Sequence, residues 1–213
     1  MMTVLADQAL ESPRTRSHRP SFQLGEGDAL LVVDVQRDLL PGGALSVKQG
    51  EEILPRLNAC LAKFVSCALP VFASRDWHPV DHRSFATQGG PWPVHCVAGS
   101  PGAQWADGLW WPDQMVVVSK GCEVDAPGYS AFDATDLTQR LRQAGVQRLF
   151  IAGMPADYCV QHTARDALAQ GWDVVLLSDA VAPLDVKAGD GTRALQMIQR
   201  EGGELAEVVQ LAV

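Results

Sequence analysis

RLFIAGMPADYCVQHT, residues 148–163, is the stretch on which the fold turns. It opens on a short apolar run, Leu149 to Ala152, breaks at Gly153, turns through Met154-Pro155-Ala156-Asp157, and sets Cys159 where a helical pattern begins. A strand, a sharp turn and a helix N-terminus make a βα unit. A thiol in the first turn of a helix lies at the positive end of the macrodipole, so its pKa is expected to fall and the nucleophilic thiolate to become more available. The alternative here is a buried cysteine in an ordinary βα unit, since free Cys is among the most buried residue types.

The same alternation extends on both sides. Ala29 to Val33, Pro70 to Ser74, Met115 to Val118, Val174 to Leu177 and Glu204 to Val209 read as further strands. Continuous β-branched runs of this kind suit a parallel sheet buried on both faces. Helical spacing appears over Glu51 to Phe64, Asp136 to Gln143, Cys159 to Gln170 and Gly191 to Arg200, with Gly145 and Gly171 as stops. Strands alternating with helices predict an α/β fold, a mostly parallel sheet with helices on both faces. Between Val80 and Pro112 the chain is rich in Gly, Pro and Trp, with a short helix expected at Ala103 to Asp107. A loop of that length inside a compact domain is usually functional or poorly ordered.

The chain has 213 residues, enough for one sizeable α/β domain. Residues 1–27 are expected to be an extension, mobile or lying on the surface, and residues 28–213 a single domain. A net charge of −8 argues against a nucleic-acid partner. No apolar run approaches membrane-spanning length, and the N-terminus has no hydrophobic signal core, so a cytoplasmic protein is expected. Five cysteines without a CxxC argue against a disulfide framework. A homo-oligomer is compatible with the fold class, though no stretch shows an interface.

Ligands of such sheets bind outside the carboxyl ends of the strands. Asp34, Asp76 with His78, Lys120, and Cys159 each follow a strand. A solvated loop residue is the ordinary reading of any one of them; a shared rim holding an acid, an amine, a thiol and metal donors is less easily explained that way. A cysteine nucleophile needs a base, and a carboxylate such as Asp34 can take its proton and return it to a leaving amine, with Lys120 balancing charge. Asp76 and His78, two apart, face one side of an extended segment, with His82 and His95 on the following loop. One Asp with several His suits a divalent Zn, Mn or Fe ion with an open position; surface histidines are the alternative. Trp77 and Trp92 are candidate walls for a flat substrate. His162 reads as a packing or surface residue.

These pieces resemble the nicotinamidase branch of the isochorismatase-like cysteine hydrolases. The resemblance is carried by Asp34-Val35-Gln36 with Pro41-Gly42-Gly43, and by Arg75-Asp76-Trp77-His78-Pro79 with His82 and Ser84-Phe85. It continues through Trp92-Pro93-Val94-His95-Cys96, Lys120-Gly121 with Tyr129-Ser130-Ala131-Phe132, and Asp157-Tyr158-Cys159-Val160. It implies a three-layer α-β-α fold with a six-stranded sheet and an Asp34–Lys120–Cys159 triad. It also implies metal ligands Asp76, His78 and His95, with His82 as the further ligand of some members, and no organic cofactor. Trp92 and Tyr129 match pocket residues. The implied reaction is hydrolysis of a small-molecule amide, nicotinamide to nicotinate and ammonia, as in NAD salvage, with pyrazinamide also accepted.

Two positions depart from the family pattern. Leu39 stands where a stacking phenylalanine is usual. Pro155 stands in the cis pair with Met154, where its lack of an N–H leaves the oxyanion to the Cys159 amide. Leu39 keeps open a hydrolase of another small amide or N-carbamoyl compound, and Pro155 keeps open a metal-binding scaffold without turnover.

Overall fold

The computed structural model describes residues 21–126 and 128–213. In chain order its elements are β1 (Phe22–Gln23), β2 (Asp28–Val33), α1 (Leu54–Ser66), β3 (Val71–Asp76), β4 (Val116–Lys120), α2 (Leu137–Gln143), β5 (Arg148–Gly153), α3 (Gln161–Ala169), β6 (Asp173–Val181), α4 (Asp190–Arg200), β7 (Glu204–Ala206) and β8 (Leu211–Ala212). Six strands form one parallel sheet in the order β4-β3-β2-β5-β6-β7. Among the described residues no helix is long and apolar enough to cross a membrane.

The apolar runs are explained by burial on both sides of the sheet. In β2, Leu30 and Val32 join Leu57, Leu61 and Phe64 of α1 in one core. Their neighbours Ala29, Leu31 and Val33 join Leu137 and Leu141 of α2, Ala164 and Ala167 of α3, and Ile198 of α4 in the other. The period-two pleat thus divides one strand between two helical layers, giving the α-β-α sandwich. After β2 the chain winds outward through β3 and β4, then returns to the other side of β2 as β5. The strand order reverses between β2 and β5, which opens a crevice at their carboxyl ends.

Several expectations need correction. Residues 1–20 of the expected extension lie outside the described residues, but residues 21–27 are not loose. Phe22 sets its ring edge-on to Phe150 at 6.1 Å, and β1 pairs with β8 in a separate two-stranded sheet. Arg148 clamps the Asp28 carboxylate through two bonds of 2.8 and 2.7 Å and also donates to the Gln23 carbonyl. No helix forms at Ala103 to Asp107, because that backbone bonds sideways instead. Arg37 N–H donates to Gln104, Ala106 N–H donates to Val35, and Trp105 bridges Gln36. The fifth strand of the central sheet extends to Val181, and the last one ends at Ala206.

Candidate active site

Register along the sheet brings the strand ends together. Val33 pairs with both Ser74 and Gly153, and Asp76 pairs with Lys120. Gly153 sits at φ 120°, and a Cβ there would lie 2.1 Å from the Val33 carbonyl oxygen. Only glycine allows β5 to lie this close to β2 as the chain leaves for the nucleophile turn. The Met154–Pro155 bond is cis. A single π turn, Ala156–Val160, then carries Cys159 before α3 begins at Gln161. The thiol therefore sits in a π turn two residues ahead of the regular helix expected to start at it, in a geometry often found at functional sites.

Asp34 has not left the core, as its place after the strand suggested. It is fully buried, with its backbone in the left-handed region at φ 50°. Ser74 Oγ donates to its Oδ1 at 2.7 Å. Oδ2 lies 2.7 Å from Lys120 Nζ, yet it has no partner in hydrogen-bond geometry. Lys120 Nζ also lies 2.5 Å from Asp76 Oδ1, donates to the Gly128 carbonyl at 3.0 Å and reaches Cys159 Sγ at 3.4 Å. One buried ammonium thus holds two carboxylates and faces a thiol.

Charge follows from this geometry. Burial pushes the Asp34 carboxyl up to about 6, against the pull of Lys120. Asp76 is also buried, but the Lys120 ammonium beside it holds its carboxyl well below the ordinary range. Burial alone would discharge Lys120; the surrounding anionic groups keep it well above the usual lysine value. For Cys159 the expectation reverses. Burial drives the thiol well above its ordinary pKa despite Lys120, and desolvation outweighs any helix-end effect. The resting group is a neutral thiol that needs a base. Asp34 and Cys159 present their reactive atoms within 4.8 Å of each other.

The metal donors form a second cluster sharing Asp76. His78 Nε2 lies 3.6 Å and His95 Nε2 4.0 Å from Asp76 Oδ2. The other ring nitrogens face backbone carbonyls, His78 Nδ1 at Gly121 (2.9 Å) and His95 Nδ1 at Pro93 (2.8 Å). A carbonyl can only accept, so each Nδ1 carries the proton and each Nε2 lone pair points inward. That arrangement is typical of metal-ligating histidine, and a buried N₂O donor set fits a divalent cation with an open position. His82 does not join it. Its Nε2 donates to the Ala126 carbonyl at 2.8 Å, its Nδ1 faces Ser84 Oγ at 2.7 Å, and its ring stacks on His78 at 4.2 Å.

Beside both clusters lies a pocket lined by Leu39, Leu45, Ser84, Trp92, Tyr129, Tyr158 and Leu184, with Asp76, His78, His95, Pro155 and Cys159. Trp92 Nε1 donates to the Tyr129 hydroxyl at 2.9 Å, and Trp92 meets Tyr158 edge to face at 4.9 Å. Trp77 does not wall this pocket; it lies under the Arg75 guanidinium, 3.8 Å from its ring centroid. His162 stacks on Tyr129 at 5.2 Å and is otherwise exposed. Around the turn, Ala156 N–H donates to Ala182, while Tyr158 and Val160 N–H donate to the Pro155 carbonyl.

Several supporting residues escaped the sequence reading. The Asp38 carboxylate accepts the Cys96 N–H at 2.7 Å, fixing the backbone next to His95. Asp157 accepts two N–H groups from the loop after β6. Gln36 bonds the backbone of Asp76. Gln36 and Asp157 fall inside the quoted motifs, but nothing in the spacing told what they hold.

Comparison with known proteins agrees with this architecture. The chain is 33% identical over 198 residues to the nicotinamidase of Escherichia coli (strain K12), covering 83% of this chain and 93% of that protein. It resembles the crystal structure of the pyrazinamidase of Pyrococcus horikoshii in complex with zinc, at 44% identity and a TM-score of 0.82 over 85% of this chain and 99% of that one. It also resembles PnC1 from L. infantum in complex with nicotinate, at 36% identity and a TM-score of 0.82 over 90% of this chain and 98% of that one. The isochorismatase domain matches residues 28–210, from the first residue of β2 to the turn before β8. Every strand that positions the site lies within that span, and the chain belongs to the isochorismatase domain family.

Proposed function

We infer that the protein is an amidohydrolase that converts nicotinamide and water to nicotinate and ammonia, and that it also accepts pyrazinamide. The observation that carries this reading is the fully buried Asp34 carboxylate, held 2.7 Å from Lys120 Nζ and within 4.8 Å of the Cys159 thiol, at the wall of an aromatic pocket. The nicotinamidase and pyrazinamidase relatives supply the substrate class.

Asp34 takes the proton of Cys159, and Sγ attacks the carboxamide carbon. The Cys159 amide is the proposed donor to the oxyanion; Pro155 has no N–H to offer. As the C–N bond breaks, Asp34 returns the proton to departing ammonia. Asp34 then takes a proton from water, whose oxygen cleaves the thioester to nicotinate, and passes that proton to the departing Sγ to restore the thiol. A carboxyl titrating at about 6 suits both directions of transfer. Lys120 keeps its charge throughout and offsets the negative charge that moves between Asp34 and Cys159.

Asp76, His78 and His95 would hold a divalent cation, zinc being the ion present in the Pyrococcus horikoshii structure. When bound, it supplies a Lewis-acidic position for the pyridine nitrogen and so orients the ring. Trp92, Tyr129 and Tyr158 favour a flat aromatic substrate over an aliphatic or N-carbamoyl amide. The test is ammonia release from nicotinamide by purified protein. Cys159→Ala should abolish it, and undiminished release in that variant would sink the mechanism.

A further inference from the structure

β3 carries one hydroxyl into the interior of the sheet. Val71, Phe72 and Ala73 are buried in the two cores, and Ser74 follows them with no exposed surface. A hydroxyl taken out of water is costly unless it finds a partner. Here the partner is Asp34, one residue past the end of β2, whose Val33 pairs with Ser74. Ser74 meets that residue twice. Its carbonyl accepts the Asp34 N–H at 3.0 Å, and its Oγ donates to Asp34 Oδ1 at 2.7 Å. The first bond holds a backbone that lies in the left-handed region at φ 50°; the second holds the side chain.

The two oxygens of Asp34 therefore have different neighbours. Oδ1 is taken by Ser74. Oδ2 lies 2.7 Å from Lys120 Nζ, and the same Nζ reaches Cys159 Sγ at 3.4 Å, so Oδ2 and the thiol share one ammonium. The terminal torsion of an aspartate is broad and sets no sharp angle of its own. With Lys120 alone, the carboxylate could turn about its Oδ2 contact; a second anchor at Oδ1 removes that freedom. Oδ1 remains an acceptor whether or not Oδ2 carries a proton, so the anchor holds in both charge states.

We propose that Ser74 is a positioning residue of the hydrolase: its hydroxyl occupies Oδ1 of Asp34 and so leaves Oδ2 as the oxygen that exchanges a proton with Cys159, the departing ammonia and water. This rests on the amidohydrolase reading of the same site. Ser74 is not among the residues that line the pocket. Its loss should therefore act on turnover and leave substrate binding alone. No bond is made or broken at Ser74 itself; the proton moves as the mechanism has it, and the hydroxyl only fixes the carboxylate that carries it.

The experiment measures kcat and KM for nicotinate formation from nicotinamide by the metal-loaded full-length protein and by its Ser74→Ala, Ser74→Thr and Ser74→Val variants. Thr and Val are close in shape and differ in the hydroxyl. A small misplacement of a reacting group is enough for a loss of about 10–100-fold. Ser74→Ala and Ser74→Val should lose that much in kcat with KM little changed, and Ser74→Thr should recover most of what Ser74→Val loses. Ser74 lies two residues before Asp76, so bound metal is measured by elemental analysis in every variant and should equal that of the wild type. If neither branched variant folds, Ser74→Cys, which keeps a weak donor, takes the place of Ser74→Thr and should turn over faster than Ser74→Ala. An undiminished kcat in Ser74→Ala, equal kcat in the Thr and Val variants, or a loss that appears in KM or in bound metal overturns the proposal. A wild type that forms no nicotinate from nicotinamide overturns the amidohydrolase reading itself.

Discussion

Gln36 bonds both backbone polar atoms of Asp76: its Nε2 donates to the Asp76 carbonyl at 2.8 Å, and its Oε1 accepts the Asp76 N–H at 2.8 Å. Pairing between β2 and β3 stops at Val33 and Ser74, so the amide stands in for the strand that has ended. It therefore fixes a residue that both Lys120 and the metal donors share. Nε2 also donates to the Ala103 carbonyl at 3.0 Å, which ties the long loop to the same point.

Gln36→Leu should be strongly destabilising. The substitution leaves one buried N–H and two carbonyls without partners, each worth about 1–3 kcal/mol when orphaned. Thermal unfolding should fall by roughly 10 °C, at about 2–4 °C per kcal/mol for a domain of this size. Metal content after dialysis should fall with it. A variant that melts like wild type would show that water satisfies these groups.

Activity should fall on acidification long before the fold does. Asp34 must be ionised to accept the thiol proton, and its carboxyl is pushed up to about 6. Below that value kcat/KM should drop about tenfold per pH unit. The sign for stability is the reverse. A carboxyl raised by burial favours the folded state at low pH and loses that contribution as pH rises through 6, so Asp34 does not drive acid unfolding. Asp76, held below the ordinary range, contributes stability that is lost only as pH falls below about 4. At pH 5 the loss of activity should be reversible, with unchanged far-UV circular dichroism; unfolding at pH 5 would contradict this assignment.

How much of this was legible in the sequence depended on range. Parallel strands buried on both faces print as unbroken apolar runs, so Ala29 to Val33 and Leu149 to Ala152 announced the sheet. That Asp34, Asp76, Lys120 and Cys159 share one rim followed from each standing at a strand end. What stayed hidden was set by tertiary burial and by pairing between distant segments. Gln36 finds its partner 40 residues away, and Leu184 is placed by Asp157 27 residues earlier. The thiol reads as activated when only the helix end is counted; desolvation, which no local pattern encodes, reverses that. His82 reads as a ligand by type and spacing, and only the Ala126 carbonyl and Ser84 show its nitrogens committed.

Lys120→Met should cost both stability and rate. Its ammonium is the shared counter-charge of two buried carboxylates. Removing one partner of such a set typically costs about 3–5 kcal/mol. Any folded fraction should show its acidic activity limb displaced above 6, because Lys120 now holds Asp34 down. Lys120→Arg should not rescue it. Nζ converges on Asp34, Asp76, Gly128 and Cys159 from a single point, and a planar fork cannot occupy that position. A wild-type pH profile in Lys120→Met would remove lysine from the charge balance.

Metal retention should separate His82 from His95, although both lie on the same loop. His95 turns Nε2 toward Asp76 with Nδ1 held by Pro93, whereas both nitrogens of His82 are engaged elsewhere. After exhaustive dialysis, His95→Gln should lose the bound divalent ion measured by elemental analysis. His82→Gln should keep it at wild-type stoichiometry, since its amide can still donate to the Ala126 carbonyl. Its affinity should fall by no more than about 10–100-fold, the cost of disturbing a partner that only orients a ligand, here through the ring stacked on His78. Equal loss of metal from the two variants would mean that His82 turns inward when the ion binds and ligates it directly.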